Sequence, residues 1–431
     1  MSIIANIHEL PTVVRRMALS VFIFVLWRWL GADIFFGIYI EQIIDKIWIV
    51  WLLWAVLAAA KLTLSIPIAY INDKINPKYL LVLSKFMYIL AGLAYFGAGV
   101  LQSPTLIIIA VVLNGLASPI FFTTNMNIIR TQTDPQQATS AFALFHTAFQ
   151  GGFFIGALAI AWVVDFIPLY YVFLGIVVFS FISMIINITI PIPEEKWLRK
   201  TIDTYILHQN VYNKVRQDLK SYNITLYITL FLQFLYGIID YIGFLFIPLL
   251  WLSNDLTLGQ IALIFAIMRI PHLLSIYFAG ILDKYNKFMV VCISYISMGA
   301  VLWWLSFTHN FASILLLSLA IAVWLSLTRP IILWFIGQLV EARHKAEITG
   351  VQETFTRTGE IVWSIGFALI AQYSTIQRGF FIVGLLFILI SVGILLQQHL
   401  FVLPKLSIAA SMKNTVLNLF ETFEHYVRKD N

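Results

Sequence analysis

Cysteine and charge are both scarce in this chain of 431 residues. The single cysteine, Cys292, excludes an intramolecular disulfide. Charged residues make up only 11% of the sequence, whereas about 25% is usual in soluble domains, and 61% of the residues are hydrophobic. No water-soluble fold can bury so much apolar side chain, so lipid must surround it. The composition therefore indicates an integral membrane protein.

Motifs for nucleotide and metal chemistry are missing as well. No glycine-rich phosphate loop is followed by Lys and Ser or Thr, so the sequence contains no built-in ATPase. No cluster of Cys and His residues has the spacing of a zinc or haem site. We therefore expect no cofactor and no metal, and we do not expect an enzyme.

Twelve apolar segments approach the roughly 20 residues that a helix needs to cross a bilayer. They must be helices, because a backbone in lipid has to satisfy its own hydrogen bonds. One long polar stretch, residues 191–222, divides them six and six. We predict an all-α polytopic membrane protein of two pseudo-symmetric six-helix bundles: residues 1–193, a central loop at 194–222, residues 223–405 and a tail at 406–431. The segments are 17–41, 48–71, 79–101, 105–129, 138–163, 168–190, 224–252, 257–281, 288–308, 312–336, 348–373 and 379–401.

The lysine and arginine residues predict the orientation in the membrane. With the N-terminus inside, 20 of the 27 lie on the cytoplasmic side, among them Lys85, and two, Lys46 and Arg378, lie outside. This bias follows the positive-inside rule. Both termini and the central loop are therefore predicted to be cytoplasmic, in the cell membrane. The net charge of +6 reflects this orientation, so we expect no nucleic-acid partner.

A short phrase occurs twice, 210 residues apart. Residues 69–76 and 279–286 share the pattern Ala-x-Ile-x-Asp-Lys-x-Asn, and each copy follows an apolar segment. Asn76 and Asn286 are predicted to form tight turns, because Asn tolerates the left-handed conformation. Equivalent phrases in equivalent places indicate two duplicated halves, which is how secondary transporters build alternating access.

The repeated phrase resembles the signature loop of the major facilitator superfamily, a family of twelve-helix secondary transporters. Residues 339–359 resemble the same family's loop from the tenth into the eleventh helix, and residues 116–120 and 327–331 echo each other. The fifth segment holds only part of the family's antiporter motif, since the expected proline is missing. The resemblance implies a cytoplasmic gate, to which we assign Asp73, Lys74, Asp283, Lys284, Arg343 and Glu353.

Charges inside the predicted helices point to the site. Each would cost about 2.5–3.5 kcal/mol at the bilayer centre, so most must face the interior of the bundle. Asp33 is the first candidate for a proton carrier, because its own helical face holds no basic residue, and Arg329 is a candidate partner for an anion or an acid. The sequence indicates no acidic partner for Lys61. The predicted substrate or proton pathway consists of Asp33, Asp240, Arg329, Glu360, Arg357 and Arg28.

The eleventh segment carries its charges on one stripe. Glu353, Arg357 and Glu360 are spaced i, i+4 and i+7, so they share a helical face and the first two can pair. One interpretation is a structural row of salt bridges near the gate, and the other is a proton-carrying role for the deeper Glu360. For His146 and His272 we favour buried core histidines over titrating groups.

These features predict a secondary active transporter of a small organic solute, coupled to protons and working by rocking of its two halves. The expected partners are a small-molecule substrate, protons and membrane lipid, and we expect a monomer. Two alternatives remain open. A lipid-modifying membrane enzyme would need a His–acid pair at one membrane face, and a transport-inactive receptor or scaffold could use the same fold.

The predicted topology can be tested by cysteine labelling in a variant that lacks Cys292. Cysteines at Ser103 and Asn310 should react with a membrane-impermeant thiol reagent added outside intact cells, because both lie in predicted outer loops. A cysteine at Lys214 should react only after the cells are opened. Labelling of position 214 from outside would overturn the orientation.

Overall fold

The computed structural model describes residues 10–29, 34–44, 46–72, 75–133, 137–192, 224–242, 247–252, 255–282, 286–339 and 345–397. Within these ranges the chain is all-α, as predicted. The N-terminal half contains α1a Thr12–Trp29, α1b Phe36–Ile44, α2 Ile47–Asn72, α3 Pro77–Leu101, α4 Pro104–Gln132, α5 Ala138–Ala161 and α6 Val172–Ile188. The C-terminal half contains α7a Ile224–Tyr241, α7b Ile247–Leu252, α8 Leu258–Leu282, α9 Lys287–Leu305, α10 Phe311–Leu339, α11 Lys345–Tyr373 and α12 Ile376–Leu396.

These helices form the twelve predicted membrane segments, with α1a and α1b counted as one and α7a and α7b as another. Among the described residues, nine helices are long and apolar enough to cross a membrane. Most boundaries lie within a few residues of the prediction. The first and seventh segments, each predicted as one continuous helix, are each described as two helices on either side of residues 30–33 and 243–246, which lie outside the described ranges. These two segments occupy equivalent places in the two halves.

The two halves repeat the same close helix contacts. A Cβ on Gly152 of α5 would lie 2.6 Å from the carbonyl oxygen of Phe22 in α1a, and one on Gly359 of α11 would lie 2.3 Å from that of Phe234 in α7a. Gly152 and Gly359 are 207 positions apart. Only a residue without a side chain lets the two backbones approach so closely. The contact therefore fixes α1a against α5, and α7a against α11, in the same way.

A second repeated contact joins the outer pair of helices in each half. Gly92 of α3 lies against Val177 of α6, and Gly299 of α9 lies against Gly384 of α12. Both members of the pair again shift by 207 positions. The prolines Pro119 and Pro330, from the echoed phrases, lie inside α4 and α10. The duplication inferred from a loop motif thus extends through the packing of the helices.

The prediction for Asn76 and Asn286 was right about their position and wrong about their conformation. Neither has a positive φ; the values are −54° and −66°. Each instead caps a helix, and its side-chain oxygen accepts a hydrogen bond from the backbone N–H two residues later, at 2.9 Å from Lys78 and 3.1 Å from Phe288. An N-cap needs an extended backbone and a short polar side chain, which Asn supplies.

The halves meet along two helix pairs, α2 against α11 and α5 against α8. All four helices run the length of the bundle, so the interface reaches both ends of the molecule. Side chains that point from these helices toward the middle belong to both halves at once. The interface is therefore where the site is to be sought.

The glycine contacts can be tested within one helix. Gly156→Ala should lower the thermal stability of the purified protein, because its Cβ would lie 1.7 Å from the carbonyl oxygen of Leu26 and force α1a and α5 apart. Overpacking of this kind costs about 1–3 kcal/mol. Gly151→Ala is the matched control: its Cβ would meet its nearest neighbour, in the Phe22 ring, at an ordinary 3.8 Å. Equal unfolding temperatures for the two variants would contradict the proposed role of Gly156.

Candidate functional site

Charged side chains from both halves gather between the bundles around Asp240. This residue of α7a is half-buried and interacts electrostatically with Arg329 of α10, Arg269 of α8, Arg357 of α11 and Lys61 of α2. Four of these helices belong to the C-terminal half, whereas Lys61 comes from the N-terminal half. We call the group the central charge cluster; it comprises Lys61, Asp240, Arg269, Arg329, Glu353, Arg357 and Glu360.

The stripe on α11 forms the ion pairs that its spacing predicted. Arg357 Nη2 lies 3.2 Å from Glu353 Oε2, and Arg357 Nη1 donates a second hydrogen bond to Glu360 Oε1. The pairing of Glu353 with Arg357 is thereby confirmed. Glu360 is only 3% exposed, and it also interacts with Lys61 and Asp240. One guanidinium therefore neutralises two acids on the same helix face.

Arg329 differs from the other cations of the cluster because it is exposed to solvent. Its guanidinium carbon lies 5.8 Å from the centre of the Tyr236 ring, it hydrogen-bonds the Tyr236 side chain, and it interacts electrostatically with Asp240 and Glu353. The residue lies about 15 Å along the axis from the end of α10. An Arg at this depth, turned toward acids, is expected to face water and not lipid. Arg329 is therefore where we expect solvent to enter between the halves.

Lys61 has partners that the sequence could not reveal. It is 6% exposed, its Nζ lies 5.6 Å from the centre of the Trp54 ring, and its charge acts on Asp240 and Glu360. These two acids lie in the other half of the molecule. Lys61 thus provides an electrostatic link between the halves at the level of the site.

A second link joins α5 to α8. The His146 imidazole donates a hydrogen bond to the backbone carbonyl of His272, and the guanidinium carbon of Arg269 lies 4.0 Å from the centre of the Phe153 ring. Both residues were predicted to be buried core histidines. The structure adds that they lie together across the interface, which no local pattern could have shown because 126 residues separate them.

At the end of the molecule that contains α1b and α7b, the halves are in contact. Asp165, in a short turn after α5, accepts hydrogen bonds from Thr257 Oγ1 at 2.9 Å and from the backbone N–H of Gly259 at 3.0 Å. Deeper in, the rings of Trp54 and Tyr241 lie 5.4 Å apart, centre to centre. The rings of Trp51 and Phe367 are separated by 5.5 Å. The two halves are therefore held together at the predicted outer side.

Arg28 belongs to a group inside the N-terminal half. Its Nη2 donates to Asn114 Oδ1 at 2.9 Å, and its guanidinium carbon lies 5.1 Å from the centre of the Tyr88 ring. Beside it lies Lys85, which is fully buried, with its Nζ 3.1 Å and 3.9 Å from the ring centres of Phe24 and Phe121. Lys85 was predicted to lie with the cytoplasmic charges, and this prediction is wrong because its side chain is fully buried among aromatic rings. Aromatic faces, which attract cations, replace water around it.

Several predicted residues lie outside the described ranges. The proton-carrier candidate Asp33 is one of them, and the others belong to the predicted gate. Their assignments remain predictions. The gate residues concerned are Asp73, Lys74, Asp283, Lys284 and Arg343.

Among the described residues, the helices of twelve membrane segments lie in two duplicated halves with a cluster of charges between them, which is the architecture of a secondary transporter. Comparison with known proteins agrees with this class. Residues 17–231 match the family model described as Major Facilitator Superfamily. The chain therefore belongs to the major facilitator superfamily. No curated protein matches the chain.

Solved structures share the fold at low sequence identity. One is a POT family transporter in complex with 5-aminolevulinic acid, with a TM-score of 0.70 and 14% identity over 88% of this chain and 95% of that one. Another is the nucleoside transporter NupG, with a TM-score of 0.68 and 13% identity over 89% of this chain and 98% of the other. A third is a POT family transporter with a thioalcohol-conjugated peptide, with a TM-score of 0.66.

The ion pairs on α11 can be tested by a double-mutant cycle. Arg357→Gln should destabilise the protein by about 3–5 kcal/mol, because it leaves the buried Glu360 without its cation. Adding Glu360→Gln should restore part of this loss, since the uncompensated charge is removed. The measurement is thermal unfolding in detergent for the parent, both single variants and the double variant. Effects that simply add would show that the two residues are not coupled. Glu353→Gln serves for comparison and should cost less, since Glu353 is 28% exposed.

Proposed function

We propose that this protein is a proton-coupled transporter that carries a small organic solute across the membrane by alternating access. The observation that carries the proposal is Arg329: an exposed cation deep between the halves, next to the half-buried Asp240. Such a position gives a solute a polar partner in a water-filled space. The family and its structural neighbours point to a transporter and not to an enzyme.

Rocking of residues 1–193 against residues 223–405 would expose the cavity to each side in turn. The contacts of Asp165 with α8, and the ring contacts beneath them, support a state that is closed at the outer side. To open that side, these contacts must break. The loops at Asp73 and Asp283 are proposed to close the cytoplasmic side in exchange.

Proton coupling requires an acid whose surroundings change as the halves move. Asp240 interacts with cations from both halves, because Lys61 lies on α2 while Arg269, Arg329 and Arg357 lie in its own half. Rocking would move Lys61 relative to Asp240 and so change the affinity of that carboxyl for a proton. Glu360 shares this link to Lys61, but it is more deeply buried and already paired with Arg357. Asp240 is therefore our first candidate among the described acids.

The remaining assignments follow the sequence. We propose a location in the cell membrane with both termini in the cytoplasm, a monomeric state and no cofactor. The lipid-modifying enzyme is the less favoured alternative. It would need a His–acid pair at one membrane face, whereas His146 donates to the backbone of His272 well inside the helices.

Proteoliposomes that contain the pH dye pyranine test the transport function. Peptides, nucleosides, amino acids, organic acids and sugars are added in turn, and at least one class should carry protons into the vesicles. Asp240→Asn should abolish this proton movement but preserve exchange of labelled for unlabelled solute, because the variant can bind the solute and not the proton.

Asp255→Asn is the matched control, since Asp255 is an exposed acid in the outer connection before α8. It should behave like the parent protein. Loss of coupling in Asp33→Asn, with Asp240→Asn unaffected, would move the proton site to the first helix. A parent protein that moves solute at the same rate with and without a pH gradient would refute proton coupling.

A further inference from the structure

The charges around Arg329 indicate what kind of solute the cavity accepts. Within the central charge cluster four side chains are basic and three are acidic. Two of the acids, Glu353 and Glu360, form ion pairs with Arg357. A cationic solute would therefore be repelled by several guanidinium and ammonium groups, and Asp240 is the one acid outside these ion pairs that could attract it. An anionic group would instead be attracted by the cations and repelled mainly by Asp240.

Arg329 is the cation that such a group can reach. It is exposed, whereas Lys61 and Arg269 are 6% and 7% exposed. Among the described residues of the cluster, the ion pairs within 4.0 Å are those of Arg357, so Arg329 reaches its acids only at longer range. Its hydrogen bond goes to the neutral side chain of Tyr236. The guanidinium thus has donors left for an incoming acceptor.

A carboxylate fits this arrangement better than other anions. The guanidinium group presents two parallel N–H donors that match the two oxygens of a carboxylate. For a doubly charged phosphate, both the attraction to Arg329 and the repulsion from Asp240 and Glu353 would double, so charge alone does not favour it, and we choose the carboxylate because its two oxygens match the guanidinium fork. We propose that the transported solute carries a carboxylate, and that this carboxylate binds Arg329 in competition with Asp240. The proposal rests on the proposed transport function.

Competition between Asp240 and the solute carboxylate for the Arg329 guanidinium would couple binding of the carboxylate to binding of a proton. When Asp240 is ionised, it attracts Arg329 and repels the incoming carboxylate; when it is protonated, it does neither. The other charged or titratable groups that face Asp240 are Arg269 on α8, Lys61 on α2, Arg357 and Glu360 on α11, and Tyr236 on its own helix, and these remain in place in either case. A proton on Asp240 and a carboxylate on Arg329 therefore favour each other, and the coupling is reciprocal.

Thermal stabilisation of the purified full-length protein by pairs of compounds tests this inference. The probes are benzoate with benzamide, succinate with succinamide, and dialanine with dialanine amide, each measured from pH 5.5 to 8. At least one carboxylate should stabilise the protein, its amide should not, and its apparent Kd should fall by up to about tenfold for each unit that the pH is lowered.

Two variants separate the roles of the residues. Arg329→Lys keeps the charge but lacks the planar fork, and it should weaken carboxylate binding by about tenfold or more. Asp240→Asn should bind the carboxylate tightly at every pH in the range, because the competitor is always neutral. Arg378→Lys, an exposed arginine at the start of α12, is the control and should not change the Kd. Unfolding temperatures without added compound verify that each variant is folded.

The outcomes distinguish the inference from the transport function. Stabilisation by the amides, with none by the carboxylates, would overturn the carboxylate assignment. Proton movement in the pyranine vesicles with those same amides would leave the transport function intact. Carboxylate binding that weakens in Asp240→Asn, or that shows no dependence on pH in the parent protein, would overturn the competition. Binding without any movement of solute in vesicles would refute transport and leave the carboxylate site standing.

Discussion

A charged side chain in the middle of a bilayer is stable only where protein or water takes the place of lipid around it. In this molecule that constraint decides where the two halves meet. Lys61 on α2 faces acids on α7a and α11, and Asp240 in turn faces cations on four helices. No single half contains this whole set. The cluster therefore forms only where the two bundles meet, and the attraction between Lys61 and the acids of the other half favours that contact.

The protein satisfies its other buried charges by different means. Lys85 is surrounded by aromatic rings, and Arg28 uses an amide and a ring. These contacts lie inside one bundle, among helices of the N-terminal half. The charges at the interface, by contrast, interact mainly with one another. A rigid bundle can hold a cation permanently, whereas an interface that must open needs partners that can be exchanged.

Much of the fold could be predicted from the sequence, because a backbone in lipid has to satisfy its own hydrogen bonds. The length of the apolar runs predicted the membrane segments, and the repeated loop predicted the two halves. The spacing of Glu353 and Arg357 predicted their ion pair. The failures concern contacts between distant segments. Lys85 was counted with the cytoplasmic charges because it lies near the start of α3, and only three-dimensional packing places it between Phe24 and Phe121. His146 with His272, and Asp165 with Gly259, bridge the two halves, so no periodicity could reveal them.

The duplicated halves differ in the distance along a helix from its N-cap to its glycine contact. The contact glycine of α3, Gly92, lies sixteen residues beyond the cap Asn76, whereas its counterpart Gly299 in α9 lies thirteen residues beyond Asn286. Three residues of helix rise about 4.5 Å. Measured from the plane of these contacts, the base of α9 is therefore nearly one helical turn shallower than the base of α3. The two halves therefore end at different depths on this side of the molecule. Any segment that covers both ends must be asymmetric to the same extent.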